Sequence, residues 1–257
     1  MLAYSDSGIG NPVVLLHGIP GSQHSWDAVV PLLSSSRVLV PDLLGFGRSP
    51  DGTPNVHAFE QAEAVLAMLD HAGIRSAQLV GFDFGGPVAV AAHRLAPGRV
   101  EALTLIASNL LTDTPVPLPL RVAQLPVAGE LVFRLMFSPV GLAGLWRQAT
   151  VDRAAFPFAV FRAGLDARGI ATTRAIFLRS LRQMSALYGP IESELPRIGV
   201  PVTIVWGDRD PFFPIAAGER TAGRFRAARW VLVKNSGHFL PQEKPAKVAA
   251  AITTRPS

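Results

Sequence analysis

The chain has 257 residues, 49% apolar and 17% charged, with 24 Lys and Arg against 19 Asp and Glu for a net charge of +5. That composition suits one α/β domain with room for an inserted subdomain, and no apolar run approaches the ~18 residues of a membrane span. The absence of cysteine excludes disulfides, thiolate nucleophiles and cysteine-bound metals.

The basic residues are scattered singly, as at Arg134, Arg153 and Arg179, unlike the basic patch with interleaved aromatics of a nucleic-acid binder. They read as solvated faces, with steering of an anionic substrate as the alternative. The opening MLAYSDSGIG lacks the basic and apolar segments of a secretion signal, so a cytoplasmic protein is expected.

In chain order, PVVLLHG (Pro12–Gly18) reads as a buried strand, followed by RVLVPD (Arg37–Asp42) and a helical pattern over Phe59–Ala72. AQLVG (Ala77–Gly81), a helix over Pro87–Leu95 and EALTLIA (Glu101–Ala107) continue the alternation. From about Asn109 to Pro196 no strand pattern occurs; ELVFRLMF, AAFPFAVFRAGLDA and TTRAIFLRSLRQMSALY read as helices separated by Pro- and Gly-containing turns. Strands return at PVTIVWG (Pro201–Gly207) and RWVLVKN (Arg229–Asn235), and a helix follows over Pro245–Ile252. Near-continuous apolar strands alternating with helices predict a mostly parallel sheet covered on both faces. A helical insertion between two such strands predicts a lid over the sheet's carboxyl edge, where ligands bind.

Three loops that follow strands carry unusual residues. In LVGFDFGG (Leu79–Gly86), small residues bracket Asp83 where a strand should give way to a helix. Such a turn lifts its central side chain out of the sheet and aims the N–H of Phe84 at the same space. Alone, Asp83 fits equally well as a helix cap. The loop WGDRDPFFP holds Asp208 and Asp210, and NSGHFLPQEKP holds His238. Alone, the aspartate pair suits a turn and the histidine a structural hydrogen bond. What joins them is the order nucleophile, acid, histidine, each after a successive strand, which nucleophile-elbow enzymes use.

Together HGIPGSQHSW, DLLGFGRS, GFDFGG, WGDRDPFFP and SGHFLPQEKP resemble the α/β-hydrolase superfamily over nearly the whole chain outside the insertion. With aspartate at the elbow, the chain is similar to the branch that contains epoxide hydrolases and haloalkane dehalogenases. The resemblance implies an α/β-hydrolase fold, a mostly parallel central sheet flanked by helices. Its core would comprise residues 1–108 and 197–257, with a helical cap over 109–196. It implies Asp83 as nucleophile, His238 as general base, Asp210 as the residue orienting His238, and the N–H groups of Ile19 and Phe84 as oxyanion hole. Asp208 is left as a turn residue. The family usually has one more strand ahead of the one at Leu2–Ser5, and this sequence begins too late for it.

An ionised carboxylate needs no base to activate it and can attack an sp³ carbon, opening an epoxide or expelling a halide. His238 would then deprotonate the water that hydrolyses the resulting ester. Attack on an ordinary ester would give an anhydride, which argues against an esterase or lipase. Epoxide hydrolases of this resemblance usually have two tyrosines in the cap. Tyr4 belongs to the first strand, so Tyr188 alone remains, as an acid or as a packed cap residue. Haloalkane dehalogenases usually hold the halide with side-chain N–H donors at the positions of Ile19 and Phe84, which cannot donate. Trp146 remains, as a halide donor or as packing. Fluoroacetate dehalogenases place arginines just after the nucleophile, where this chain has Phe84, Gly85, Gly86 and Pro87. The doubled glycine is closer to the epoxide-hydrolase elbow.

The expectation is an epoxide hydrolase. Haloalkane dehalogenation is the alternative, and a non-covalent catalyst or binder of an apolar metabolite is a further one. Cap residues such as Phe156, Phe158, Phe161 and Phe177 predict a small apolar substrate, with water as co-substrate. No cofactor or metal is expected. His17 reads as a loop-holding residue, and His24, His57, His71 and His93 lack metal-ligand spacing. Neither nucleic acid nor membrane is expected as a partner, and monomer or homodimer is left open.

Overall fold

The apolar runs become the inner strands of one sheet. A computed structural model of the protein describes residues 1–114, 122, 125 and 128–254. The strands are β1 (Tyr4–Ser7), β2 (Asn11–Leu16), β3 (Ser36–Pro41), β4 (Ala77–Phe82), β5 (Val100–Ile106), β6 (Val202–Gly207) and β7 (Arg229–Val233). They lie in the order β1-β3-β2-β4-β5-β6-β7. Every neighbouring pair is parallel except β1 with β3. All residues of β4 and β6 are buried, as expected of parallel strands covered on both faces. β1 lies two residues later than expected: its YSDS sequence is mostly exposed, while Leu2 is buried in the core ahead of it.

Apolar packing occupies both faces of the sheet. On one, α1 (Ala58–His71) contributes Val65, Met68 and Leu69, and α2 (Gly85–Leu95) contributes Val88 and Ala92. On the other, Trp26 joins Val248 and Ile252 of the helix Pro245–Thr253.

Between β5 and β6 the described residues contain no strand, only helices: Ala128–Met136, Pro139–Ala149, Phe158–Ala163, Ala167–Arg182 and Met184–Glu194. Residues 115–121, 123–124 and 126–127 of the expected cap lie outside the described residues. The long helix expected over residues 172–188 is in fact interrupted at Gln183, whose φ of −131° is not helical. The one expected over residues 154–167 is split too. Asp166 starts a new helix, its side chain accepting from the Gly169 N–H at 2.7 Å, an N-cap in the usual sense.

Several scattered arginines turn out to be ties rather than solvated faces. Arg168 donates to the carbonyls of Ser49 (2.7 Å) and Gly47, and Arg179 donates to that of Asn55. Buried Glu194 takes His93 and Arg94 of α2 at 3.1 and 3.2 Å. The helical insertion is thereby held over the carboxyl ends of the strands.

Candidate active site

The turn from β4 to α2 is tight because its glycines leave no room for side chains. A Cβ on Gly81 would lie 2.4 Å from the Gly85 carbonyl oxygen, and one on Gly85 2.4 Å from that of Leu16. Between them Asp83 sits at φ 50°, a left-handed conformation in which Asp is several-fold enriched among non-glycine residues. It is not the helix cap that its composition equally allowed. Phe84 occupies the N-cap position of α2 and no side chain caps the first turn. The Phe84 amide is among the unpaired N–H groups of a helix start.

The Asp83 carboxylate points away from its own helix. Its Oδ1 accepts the Ile19 N–H at 2.9 Å; its Oδ2 lies 3.6 Å from His238 Nε2. Gly18 lets the Ile19 loop approach, since a Cβ there would lie 2.6 Å from Asp83 Cβ. His17 holds the same loop as expected: its Nε2 accepts the Leu43 N–H at 2.9 Å, and its Nδ1 lies 2.8 Å from the Gly18 carbonyl.

Behind His238, Asp210, whose side chain is fully buried, accepts from Nδ1 at 2.9 Å. Its other oxygen accepts the N–H groups of Phe212 and Phe213 at 2.8 and 3.0 Å. Asp208 instead ties two loops, accepting the Ser236 N–H at 3.2 Å. Burial alone would lower the pKa of His238, but the Asp210 and Asp83 carboxylates outweigh it and raise it to about 10. The ring is therefore an imidazolium at neutral pH. A support that sequence reasoning missed is Glu243. It accepts the N–H groups of Val151 and Asp152, both at 2.8 Å, and of Gly237 at 3.2 Å, fastening the His238 loop to the insertion.

A cavity of about 100 Å³ opens beside Asp83. Ile19, Asp83, Phe84 and Pro87 form its floor, Asn109, Thr114 and Phe213 its sides. Ile176, Phe177, Ser180, Leu181, Met184 and Tyr188 of the insertion close it. It is smaller than the ~150 Å³ that holds a benzene molecule. Burial pushes the Tyr188 phenol up to about 12, so it keeps its proton.

Trp146 does not reach this cavity. Its indole N–H donates to the Phe156 carbonyl at 2.9 Å and its ring packs on Phe158. Phe156 and Phe161 likewise pack on Phe239. Of the cap phenylalanines singled out in the sequence, only Phe177 lines the cavity. Asn109, Thr114 and Ser180 went unnoticed. Asn109 Oδ1 accepts from the Leu111 N–H at 3.1 Å and the Thr114 hydroxyl at 2.5 Å, leaving its amide nitrogen as a donor. Its signal was position: the first loop after β5, at the carboxyl edge of the sheet. Among the described residues no cluster of His, Asp and Glu could hold a metal, and no helix is long and apolar enough to cross a membrane.

Comparison with known proteins gives a consistent frame. A model described as the alpha/beta hydrolase family matches residues 13–251. Haloalkane dehalogenase 2 of Mycobacterium tuberculosis is 28% identical over 98% of this chain and 90% of its own. The structure of a thermophilic esterase from Thermogutta terrifontis superposes with a TM-score of 0.80 at 25% identity, covering 98% of this chain and 91% of its own. An epoxide hydrolase, CorEH, shares the fold with a TM-score of 0.79 at 23% identity, over 97% and 92% of the two chains.

Proposed function

Because the chain belongs to the alpha/beta hydrolase family, we propose that it hydrolyses a small epoxide through a covalent ester on Asp83, beneath a helical cap spanning residues 109–196. One observation carries this reading: an elbow carboxylate with Oδ1 held by the Ile19 N–H and Oδ2 near His238, facing a small, mostly apolar cavity.

Oδ2 attacks an epoxide carbon, the C–O bond breaks, and Tyr188 gives its proton to the departing oxygen. Asp83 is then a neutral ester, so part of what raised the His238 pKa is gone. His238 releases its extra proton through water to the Tyr188 phenolate and becomes a base. It next deprotonates the water that attacks Asp83 Cγ, while negative charge on Oδ1 rests against the Ile19 N–H. A donor of this kind contributes about 2.7–4 kcal/mol. On collapse the departing alkoxide takes the proton of the newly formed Asp83 carboxyl group, which releases the diol and restores carboxylate, imidazolium and phenol.

Esterase chemistry, suggested by the Thermogutta relative, fits less well, because carboxylate attack on an ester yields an anhydride. Dehalogenation is the second reading, favoured by the Mycobacterium relative. Asn109 would then be the donor available to the halide.

His238→Gln separates these readings. The variant should alkylate and fail to hydrolyse, so intact mass after incubation with epoxides and haloalkanes reports the chemistry. A gain equal to the whole epoxide, mapped to Asp83, supports the proposal. A gain equal to the haloalkane less HX moves the assignment to dehalogenation. No adduct on folded protein overturns the covalent route.

A further inference from the structure

Ser180 lines the cavity, and behind it lies a histidine for which the reaction above has no use. His57, at the start of α1, is only 4% exposed. Its ring stands edge-on between Phe84 and Tyr188, with centroids 5.3 and 5.4 Å away. His57 Nε2 is 3.0 Å from Ser180 Oγ; Ser180 and Tyr188 line the same cavity, and the Ser180 hydroxyl lowers the Tyr188 pKa against the burial that raises it. The remaining ring nitrogen, Nδ1, is buried with no hydrogen-bond partner.

From this geometry we propose that Ser180, held by His57, is a positioning residue that turns the Tyr188 hydroxyl hydrogen into the cavity. The proposal rests on the reading of Tyr188 as the acid for an opening epoxide.

The direction of the chain follows from counting hydrogens. Burial, with help from the positive charge of Arg179, lowers the His57 pKa to about 4, so at neutral pH the ring carries a single N–H. A buried N–H without an acceptor is rarer than an acceptor without a donor. The hydrogen therefore belongs on Nε2, where Ser180 Oγ can accept it, and Nδ1 is left with a lone pair. Ser180 has one hydrogen, and in the proposed chain it is given to the Tyr188 oxygen. Tyr188 cannot donate back to Ser180, and its own hydrogen is free for the substrate. The donor order is His57 to Ser180 to Tyr188 to the epoxide oxygen. After transfer, the Ser180 hydroxyl still donates to the phenolate. The charged groups bearing on this trio are Asp83, which acts on Tyr188, and Arg179, which acts on His57.

The direction can be read without substrate. Nitrogen NMR of the native protein, with the His57 signals assigned by their loss in His57→Gln, should show the hydrogen on Nε2 at neutral pH. Hydrogen on Nδ1 would reverse the chain, aim Tyr188 at Ser180 and overturn the proposal.

A second measurement uses Tyr4→Phe, which leaves Tyr188 as the sole tyrosine, loaded with a fluorotyrosine whose phenol titrates in a range the fold tolerates. Ser180→Ala should move that titration, read by fluorine NMR, upward by about one pH unit, and Ser180→Thr should restore it. With an epoxide substrate, kcat of Ser180→Ala should fall about tenfold with KM within about twofold. An unmoved titration or an unchanged kcat overturns the proposal. Failure of the covalent reading would appear separately, as absence of the Asp83 adduct, with the NMR outcomes intact.

Discussion

His238 stands between two carboxylates, Asp210 at 2.9 Å and Asp83 at 3.6 Å, and the charge of Asp83 should be measurable in the pH dependence of stability. Burial lowers the His238 pKa, and the carboxylates overcome this to bring it from 6.5 to about 10. The folded-state value is raised. The stabilisation is therefore complete below about pH 6.5 and is lost as pH climbs through about 10. At 1.36 kcal/mol per unit this amounts to about 5 kcal/mol, with a slope of at most about 1.4 kcal/mol per pH unit. Asp83→Asn removes one of the two carboxylates. Asparagine also tolerates the left-handed backbone at this position, so the elbow should survive. Asp210 contributes the larger part and remains, so the smaller part should disappear from the pH dependence in the variant. Urea unfolding of both proteins across this range measures it, with intact mass excluding hydrolysis of the asparagine back to aspartate. The substituted amide keeps an oxygen that can accept the Ile19 N–H, and any weakening of that bond shifts the variant's curve by a constant and leaves its slope alone. Parallel stability curves would show Asp83 and His238 to be uncoupled. The account in which esterification turns His238 into a base would then fall.

Other perturbations test the remaining contacts. Gly18→Ala places a Cβ 2.8 Å from Asp83 Oδ1, pushing the carboxylate off the Ile19 N–H. Turnover should fall by about 10²–10³ while the circular dichroism spectrum stays that of the wild type. Asp210→Asn should slow ester hydrolysis more than alkylation, so an adduct that is transient in the wild type should accumulate in rapid-quench mass spectra. Glu243→Ala strands the N–H groups of Gly237, Val151 and Asp152 and should cost about 3 kcal/mol or more in urea unfolding. Met184→Ala enlarges the cavity and should raise kcat/KM for longer epoxides relative to the shortest, compared across a homologous series.

The inner strands were legible because a parallel strand buried on both faces is an apolar run with little else it can be. The edges were not. β1 is mostly exposed and polar in sequence, so the nearest apolar residue, Leu2, drew the expected boundary toward itself although it packs in the core ahead of the strand. In the insertion, the spacing of Phe177, Leu181, Met184 and Tyr188 suggested one continuous helix. The stripe is real, since all four line the cavity, yet the backbone breaks at Gln183. Periodicity reports which face is apolar and is blind to one residue leaving the helical conformation. The helix Pro139–Ala149 was missed because its two glycines weaken the pattern. Its Ser138–Pro139 start is nevertheless a legible cap, and Ser138 does accept the Gly141 N–H at 3.1 Å.

The same distinction between local and distant causes separates the site residues that could be read from those that could not. Asp83, Asp210 and His238 each follow a strand, and strand ends are forced to one edge of a parallel sheet, so their order along the chain already places them together. A donor's partner is not fixed in this way. The indole of Trp146 was free to be a halide ligand until the Phe156 carbonyl claimed it, a contact set by how two insertion helices meet. Ser180 and His57 lie 123 residues apart, on an insertion helix and a core helix, and neither belongs to any motif. What brings them together is the docking of the insertion, fixed by ties such as Arg179 to the Asn55 carbonyl, two residues from His57. If the cap moves during turnover, the Ser180–His57 hydrogen bond must break with it. On the proposed route, Tyr188 is then aimed only when the insertion is docked over Asp83, the state in which an opening epoxide would need its proton.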